Sequence, residues 1–434
     1  MSYMDLGSKP AMFGIFSKQR IRCAAVVYAV FALLCGCDGR EPLSGQLSAR
    51  TQEAVTLAFA TYQVREQERV EAAIKVFQEK NPGILVDPTF IPNEPYTQII
   101  RTKFASGEGP DVLQLWATPE SMGALGKAGY LLDLSDNPVF MKVAPSISSS
   151  CAIGDKAYML PTNVALMGLL VNTEVLSDAG VPIPTNYKEF LEACGAVKAM
   201  GVAPIAFGDK DGVESGWGCK IVYDSIASED EVEGIVEGSV TFSGAAAFKE
   251  LLTKIKELEA RGYFVQDYTS VTLDHAHEMI ADAKAAFMFS AEWNFPGVLA
   301  KNNSASFALV PVPFNDSGTP KMISTIGGGV GVNADSKILD AAVMWLEFNG
   351  SQDYADTLNL DGASPIEGVT VTLSAEAQAA YVNYTDNIYP DLVGKFGFKN
   401  ANELFSQSVQ NYLLTDATLA DICAGADRLY RSEN

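Results

Sequence analysis

"ILVDPTFIPNEPYTQIIRTKFASGEGPDVLQLW", Ile84 to Trp116, decides how this chain folds. It opens on a strand, "ILVDPTF", whose apolar residues alternate and then stop at a proline. A helix follows over "YTQIIRTKFASG", which turns Ile99, Ile100 and Phe104 toward one face. "PDVLQLW" closes the unit as a short, almost wholly apolar run, the composition of a strand buried on both sides. Just upstream, "VTLAFA" (Val55–Ala60) reads as another strand. Val70, Ala73, Ile74 and Phe77 then recur at helical spacing until Asn81-Pro82-Gly83 ends the helix. Downstream, Thr118 and Pro119 provide an N-cap and a first-turn proline for a further helix. The order is strand, helix, strand, helix, strand, the signature of a parallel sheet covered by helices.

The alternation resumes beyond the middle of the chain. "GLLVNT", "APIAFG", "AAFMFS", "FALVPVP" and "GGGVGV" read as strands. Tyr187 to Met200, Lys249 to Arg261, Leu273 to Ala283 and Ser336 to Phe348 read as helices, and the C-terminal part is mostly helical. There is no internal repeat and no low-complexity block. A length of 434 residues with 48% hydrophobic residues predicts two domains, each with its own core.

Charge narrows the partners. The formal net charge is −22, from 31 basic and 53 acidic residues. Such a chain repels phosphate backbones, which argues against nucleic acid. It also argues against anionic solutes unless a cation lines the site, and Arg65 and Lys220 are the nearest candidates. Beyond residue 37 the cysteines are Cys151, Cys194, Cys219 and Cys423. They leave two options open, up to two disulfides or buried thiols; Cys194 favours the latter by sharing a helical face with Phe190, Leu191 and Val197.

The N-terminal segment carries its own motif, "ALLCGCDGREP" (Ala32–Pro42). Lys9, Lys18, Arg20 and Arg22 precede roughly a dozen apolar residues, too few for a membrane span, which needs ~20. The pattern is that of a signal peptide. Leu34 and Gly36 before Cys37 resemble a bacterial lipobox, which implies acylation of Cys37 after removal of residues 1–36. Asp38 resembles the signal that retains such lipoproteins on the inner membrane. Residues 37–53, polar and aperiodic, read as a tether.

Parallel sheets place their binding chemistry beyond the carboxyl ends of strands. Tyr62 and Gln63 follow the first strand, Trp116 the third, and Trp293 the run "AAFMFS"; Trp217 sits between glycines. Aromatic faces suit the apolar side of pyranose rings. Gln63, Glu120, Asn163, Glu292 and Asp361 are the polar groups expected to fix hydroxyls. Glu120 equally suits a helix first turn as a dipole partner, and Trp345, on an amphipathic helix, reads as core. His275 and His277 do not share a helical face and lack a third ligand, so they read as a solvated helix rather than a metal site. "TIGGGVGV" lacks the lysine and spacing of a phosphate loop and reads as a strand whose backbone approaches a ligand or hinge. No nucleophile-elbow or zinc-hydrolase motif is present. Two acidic residues suffice for a glycosidase, however, so a lipid-anchored glycan-degrading enzyme remains the competing reading.

Several stretches together resemble a known family. "FQEKNPGILVDPTFIPNEPYTQIIRTKFASGEGPDVLQLW", "YMLPTNVALMGLLVNTEVLSDAGVPIPTNYKEFLEAC", "AAFMFSAEW", "VPVPF" with its following glycine-rich strand, and "DGASPIEGV" fall in the order seen in carbohydrate ABC-importer solute-binding proteins of the maltose-binding type. One departure is Ala291-Glu292, where many members have glycine before the tryptophan. The resemblance implies an α/β fold of two lobes, the type II periplasmic-binding-protein architecture, with a ligand cleft between lobes joined by crossing hinge strands. Mapped here, lobe one comprises 54–163 and 326–366, and lobe two 164–325 and 367–434. It implies a monomeric, non-enzymatic receptor without cofactor or metal. That receptor would bind a neutral mono- to trisaccharide and deliver it to ABC permease subunits from a lipid anchor facing the periplasm or cell exterior. It also implies that Trp116 and Trp293 stack on sugar rings, and that Trp217, near where an aromatic of the family contacts sugar, binds ligand as well.

Overall fold

The strand predicted at Val55 runs from Val55–Thr61 (β1) and pairs in parallel with Ile84–Phe90 (β2) and Val112–Leu115 (β3). These elements come from a computed structural model, which describes residues 54–433 apart from 317–318, 359–361 and 397–400. The expected signal peptide, Cys37, the expected tether and Asp361 therefore lie outside the described residues. Gln67–Lys80 (α1) buries Val70, Ala73, Ile74 and Phe77, the stripe expected from their spacing. In Asn93–Ala105 (α2) the buried stripe is Tyr96, Ile100 and Phe104. Ile99, expected inward, lies among the exposed hydrophobic residues. One position from Ile100 is a turn of 100°, and Tyr96 occupies the inner face instead.

Two long strands organise the rest. Leu160–Asn172 (β4) is 13 residues long, and Met322–Val332 (β8) is 11. Between them in sequence come Ala203–Ile205 (β5), Ala285–Ala291 (β6) and Phe307–Val310 (β7); Ile388–Pro390 (β9) follows. The sheet runs β2-β1-β3-β8-β4-β6-β5, with β9 beside β8 and β7 beside β4. Each long strand changes partners along its length. On one edge β8 keeps β4 as its partner, Ile323 to Val330 against Leu160 to Met167, while on the other it passes from β9, at Met322 to Ser324, to β3, at Gly329 to Val332. The register breaks on either side of Gly328. On the far side, Met167 to Val171 pair with β6. A third crossing comes from Ala363, which exchanges both backbone hydrogen bonds with Val164 at 2.8 Å.

The cores separate on either side of these crossings. Leu57, Phe59, Val112, Leu160, Val330 and Trp345 belong to one. Met167, Phe190, Phe248, Phe289 and Leu404 belong to a second, and Leu170, Met279, Met288 and Phe307 to a smaller third on the same side of the crossings. Trp345, on the helix Leu339–Asn349, is fully buried against Phe59, Phe77 and Phe348, as its helical position implies. Cys151, Cys194, Cys219 and Cys423 are buried free thiols, so the disulfide alternative does not apply to them. Among the described residues no helix is long and apolar enough to cross a membrane.

Candidate functional site

Strand β1 ends at Thr61, and the chain turns there under the control of one buried side chain. Gln114 is the single polar residue of strand β3, and it is 4% exposed. Its Oε1 accepts from Thr61 Oγ1 at 2.5 Å and from the Tyr62 N–H at 3.2 Å. Its Nε2 donates to Gln63 Oε1 at 2.6 Å. The network fixes the loop after β1 and commits the amide oxygen of Gln63 inward.

Tyr62 is thereby laid flat on Trp116, with ring centroids 4.0 Å apart and planes 14° from parallel. Tyr96 meets both rings edge-on, at 5.4 and 5.6 Å, and donates to the Gln114 carbonyl at 2.8 Å. One face of Trp116 is covered by Tyr62. Tyr62 Oη reaches the carbonyl of Gly327 at 3.4 Å. A side chain at Gly328 would collide with that hydroxyl, and one at Gly327 with the Asn163 amide. The glycine run therefore lets these two groups approach the crossing strand, which is the physical content of "TIGGGVGV". Burial holds the Tyr62 hydroxyl well above its ordinary pKa, so it stays protonated and able to donate.

Beyond Trp116 the chain does not enter an α-helix at once. Pro119–Gly123 is a π-helical turn, capped by the Thr118 hydroxyl, which accepts from the Ser121 N–H at 3.3 Å. Glu120 sits in this turn with Oε1 buried and unpartnered. Burial raises its pKa above the usual carboxylate range, outweighing its hydrogen bonds and the charge of Arg101. π-turns often mark functional sites, and the other lobe has a second one. Glu214–Gly218 carries Trp217, and Glu214 within it is buried, again with one carboxylate oxygen unpartnered. Burial, reinforced by Asp209, keeps Glu214 protonated well above the normal range. Sequence reading missed Glu214, Tyr96 and Gln114. A lone glutamine in an apolar strand was the signal for Gln114; nothing local distinguished the other two.

Trp217 and Trp293 pack together edge-to-face, with centroids 5.5 Å apart and planes at 77°. Trp293 stands in the short helical turn after β6, and both rings are half-buried. Glu292 is placed differently. It is 3% exposed, and its Oε2 accepts from the Leu166 N–H at 2.7 Å and lies 3.0 Å from the Tyr381 hydroxyl. That hydroxyl also lies 2.8 Å from the Val164 carbonyl and accepts from the Ala363 N–H at 3.3 Å. Glu292 thus joins two of the crossings. Asn163 lies on β4 at the irregular register beside Gly328.

The aromatic candidates form two groups: Tyr62 with Trp116 on one side of the crossings, and Trp217 with Trp293 on the other. The histidines divide. His275 is exposed, but His277 is 7% exposed, which corrects the reading of a solvated helix. The helix Leu273–Ala281 turns it against Gly297, where any side chain would strike the imidazole. Among the described residues no cluster of three metal-ligating side chains occurs.

Comparison with known proteins agrees with this architecture. Residues 63–356 match the family described as bacterial extracellular solute-binding protein. A multiple sugar-binding protein of Streptococcus mutans is 21% identical over 410 residues, spanning 92% of this chain and 94% of the relative. Among solved structures, the apo form of RafE from Streptococcus pneumoniae has a TM-score of 0.74 at 17% identity, covering 88% of this chain and 98% of that one. A sugar transporter of Bacillus licheniformis in complex with stachyose gives 0.71 at 19%, covering 88% and 100%. Those likenesses establish the fold. The family match covers most of the chain and sets the glycan-degrading reading aside, because its members are receptors rather than enzymes. By fold and by sequence alike, the chain belongs to the bacterial extracellular solute-binding protein family.

Proposed function

We propose that this protein is the carbohydrate receptor of an ABC importer, binding a neutral mono- to trisaccharide in the cleft between two lobes that close on it. The observation carrying this reading is the pair of aromatic groups on opposite sides of the crossing strands, Trp116 backed by Tyr62, and Trp217 against Trp293. Flat rings suit the C–H faces of pyranoses, and the polar groups around them supply directional contacts. Gln63, Glu120 and Asn163 are assigned to hydroxyl recognition, together with Asp361. Glu292 acts at the edge of the site by bracing the hinge. The names of the relatives, a multiple sugar-binding protein and a stachyose-bound transporter, point to the same ligand class.

The lobes are assigned as 54–163 with 326–366, and 164–325 with 367–434, so the chain passes between them three times. Closure is a hinge motion about these passages. Residues 1–36 are assigned as a lipoprotein signal peptide, Cys37 as the acylated residue and 37–53 as its tether; the working form is a monomer. Mass spectrometry tests the anchor, because Cys37→Ser should leave an unprocessed or unlipidated chain. Calorimetry against neutral and acidic oligosaccharides, with and without chelator, tests the ligand. Binding of a neutral sugar indifferent to chelator is expected; binding of uronates alone would overturn the reading.

A further inference from the structure

A buried ion cluster lies behind Trp217, and sugar recognition as described does not require it. Lys220 Nζ is 2.7 Å from Asp391 Oδ2, with the two side chains only 7% and 13% exposed. The same ammonium sits over the Trp217 ring, 4.6 Å from its centroid. Asp391 Oδ2 also accepts from Thr325 Oγ1 of crossing strand β8 at 3.3 Å, while Oδ1 accepts from the Gly394 N–H at 3.0 Å. Asp224, one helical turn beyond Lys220, accepts from the Val393 N–H at 3.0 Å. These bonds clamp the turn Val393–Phe396, and that turn lies against Pro119–Gly123 of the opposite lobe, the π-turn carrying Glu120.

We propose that Lys220 is a positioning residue that sets solute length: it orients the Trp217 indole and, through Asp391, holds the 391–396 turn as the wall closing one end of the cleft. Stability alone does not account for the cluster. Desolvating an ammonium, its carboxylate partner and the second carboxyl group of Asp224 is costly, and well-packed apolar side chains of similar volume commonly serve a core as well or better. Fixed geometry does account for it. A cation over an indole holds the ring plane, and the same cation anchors a backbone turn by way of Asp391. A solute stacking on Trp217 then meets the turn end-on. The ligand class follows: a neutral sugar recognised at one terminus, with chain extension barred on the side of residues 391–396. This inference rests on the sugar reading above.

The experiment uses the purified full chain and neutral oligosaccharides from monosaccharide to pentasaccharide, read by calorimetry, near-ultraviolet circular dichroism and melting. In Lys220→Met the affinity for the preferred sugar should fall about tenfold or more. The length limit should relax and the tryptophan dichroism should change, while Lys220→Arg should restore most of the affinity. Asp391→Asn keeps the side-chain shape and should relax the length limit in the same way, and it carries the test should Lys220→Met not fold. Wild-type affinity, length profile and dichroism in the folded Lys220→Met chain, or an unchanged length limit in Asp391→Asn, would overturn the proposal. Failure of the wild-type chain to bind any sugar of the series would overturn the sugar reading and this inference with it. Binding by wild type with unaltered variants overturns only the role of Lys220.

Discussion

Trp116 and Trp345 both pack against the first core, but only Trp116 keeps a face beyond its aromatic partners. Trp345 is enclosed by Phe59, Phe77, Phe348 and Tyr354. Trp116→Ala should therefore weaken sugar binding by about 1–3 kcal/mol, a factor of about 5 to 150, with a small change in melting. Trp345→Ala should cost about 3–5 kcal/mol of folding free energy and leave the affinity of the remaining folded chain intact. Parallel melting and calorimetry on both variants separate the roles; unfolding by Trp116→Ala would assign it to the core. Position after a strand was enough to select Tyr62, Gln63, Trp116 and Trp293 from the sequence. It did not reveal that Tyr62 backs Trp116, because that contact depends on the Gln114 network and on glycine at 328. Glu292 was expected to contact sugar hydroxyls; its bonds to Leu166 and Tyr381 could not be read from the sequence because they depend on crossings remote along the chain.

Among the elements, the helices Gln67–Lys80 and Asn93–Ala105 and the parallel strands β1 to β3 were legible from spacing, since each carries an apolar stripe or run. The two long crossing strands were legible only by half. "GLLVNT" and "GGGVGV" read as strands, but Leu160 to Met167 and Met322 to Ile326 did not. Pro161, Thr162 and Asn163 interrupt the first, and "MISTI" alternates too briefly to stand out. Their strand state comes from pairing with each other. The helix Cys219–Ile226 was also missed, because it buries Lys220 and Asp224, residues that a sequence pattern assigns to solvent. The crossing supports a direct test. A side chain at Gly329 would meet the backbone carbonyl of Leu160, which cannot rotate away. Gly329→Ala should thus destabilise by about 1–3 kcal/mol, whereas Gly83→Ala, with open space around it, should be tolerated. Equal melting of the two variants would count against the close packing of β8 on β4.

At the scale of the molecule, two buried groups shape the dependence of stability on pH from opposite sides. Burial lowers the pKa of His277 below its ordinary 6.5. Its contribution is complete above that value and is lost as pH falls through the folded one. Burial and Asp391 raise Asp224 well above 3.8. Its contribution is complete below 3.8 and is lost as pH rises through the folded value. Denaturant titrations across pH should show a shallower acid-side decline in His277→Gln and a shallower decline with rising pH in Asp224→Asn; slopes equal to wild type would refute the assignments. Reductant should leave the melting temperature unchanged, since the four thiols are unpaired; a fall would reveal a disulfide. The partner exchange of β8 also bears on how the chain is made. Leu115 pairs with Gly329, so β3 lacks its partner on that side until the chain has been synthesised past Val332. A ribosome releases the N-terminal half long before its missing strand exists, and contacts so distant in sequence form slowly. The topology thereby leaves the edge of β3 open until late in synthesis, and completion of the sheet waits on a strand more than two hundred residues downstream of the one it joins.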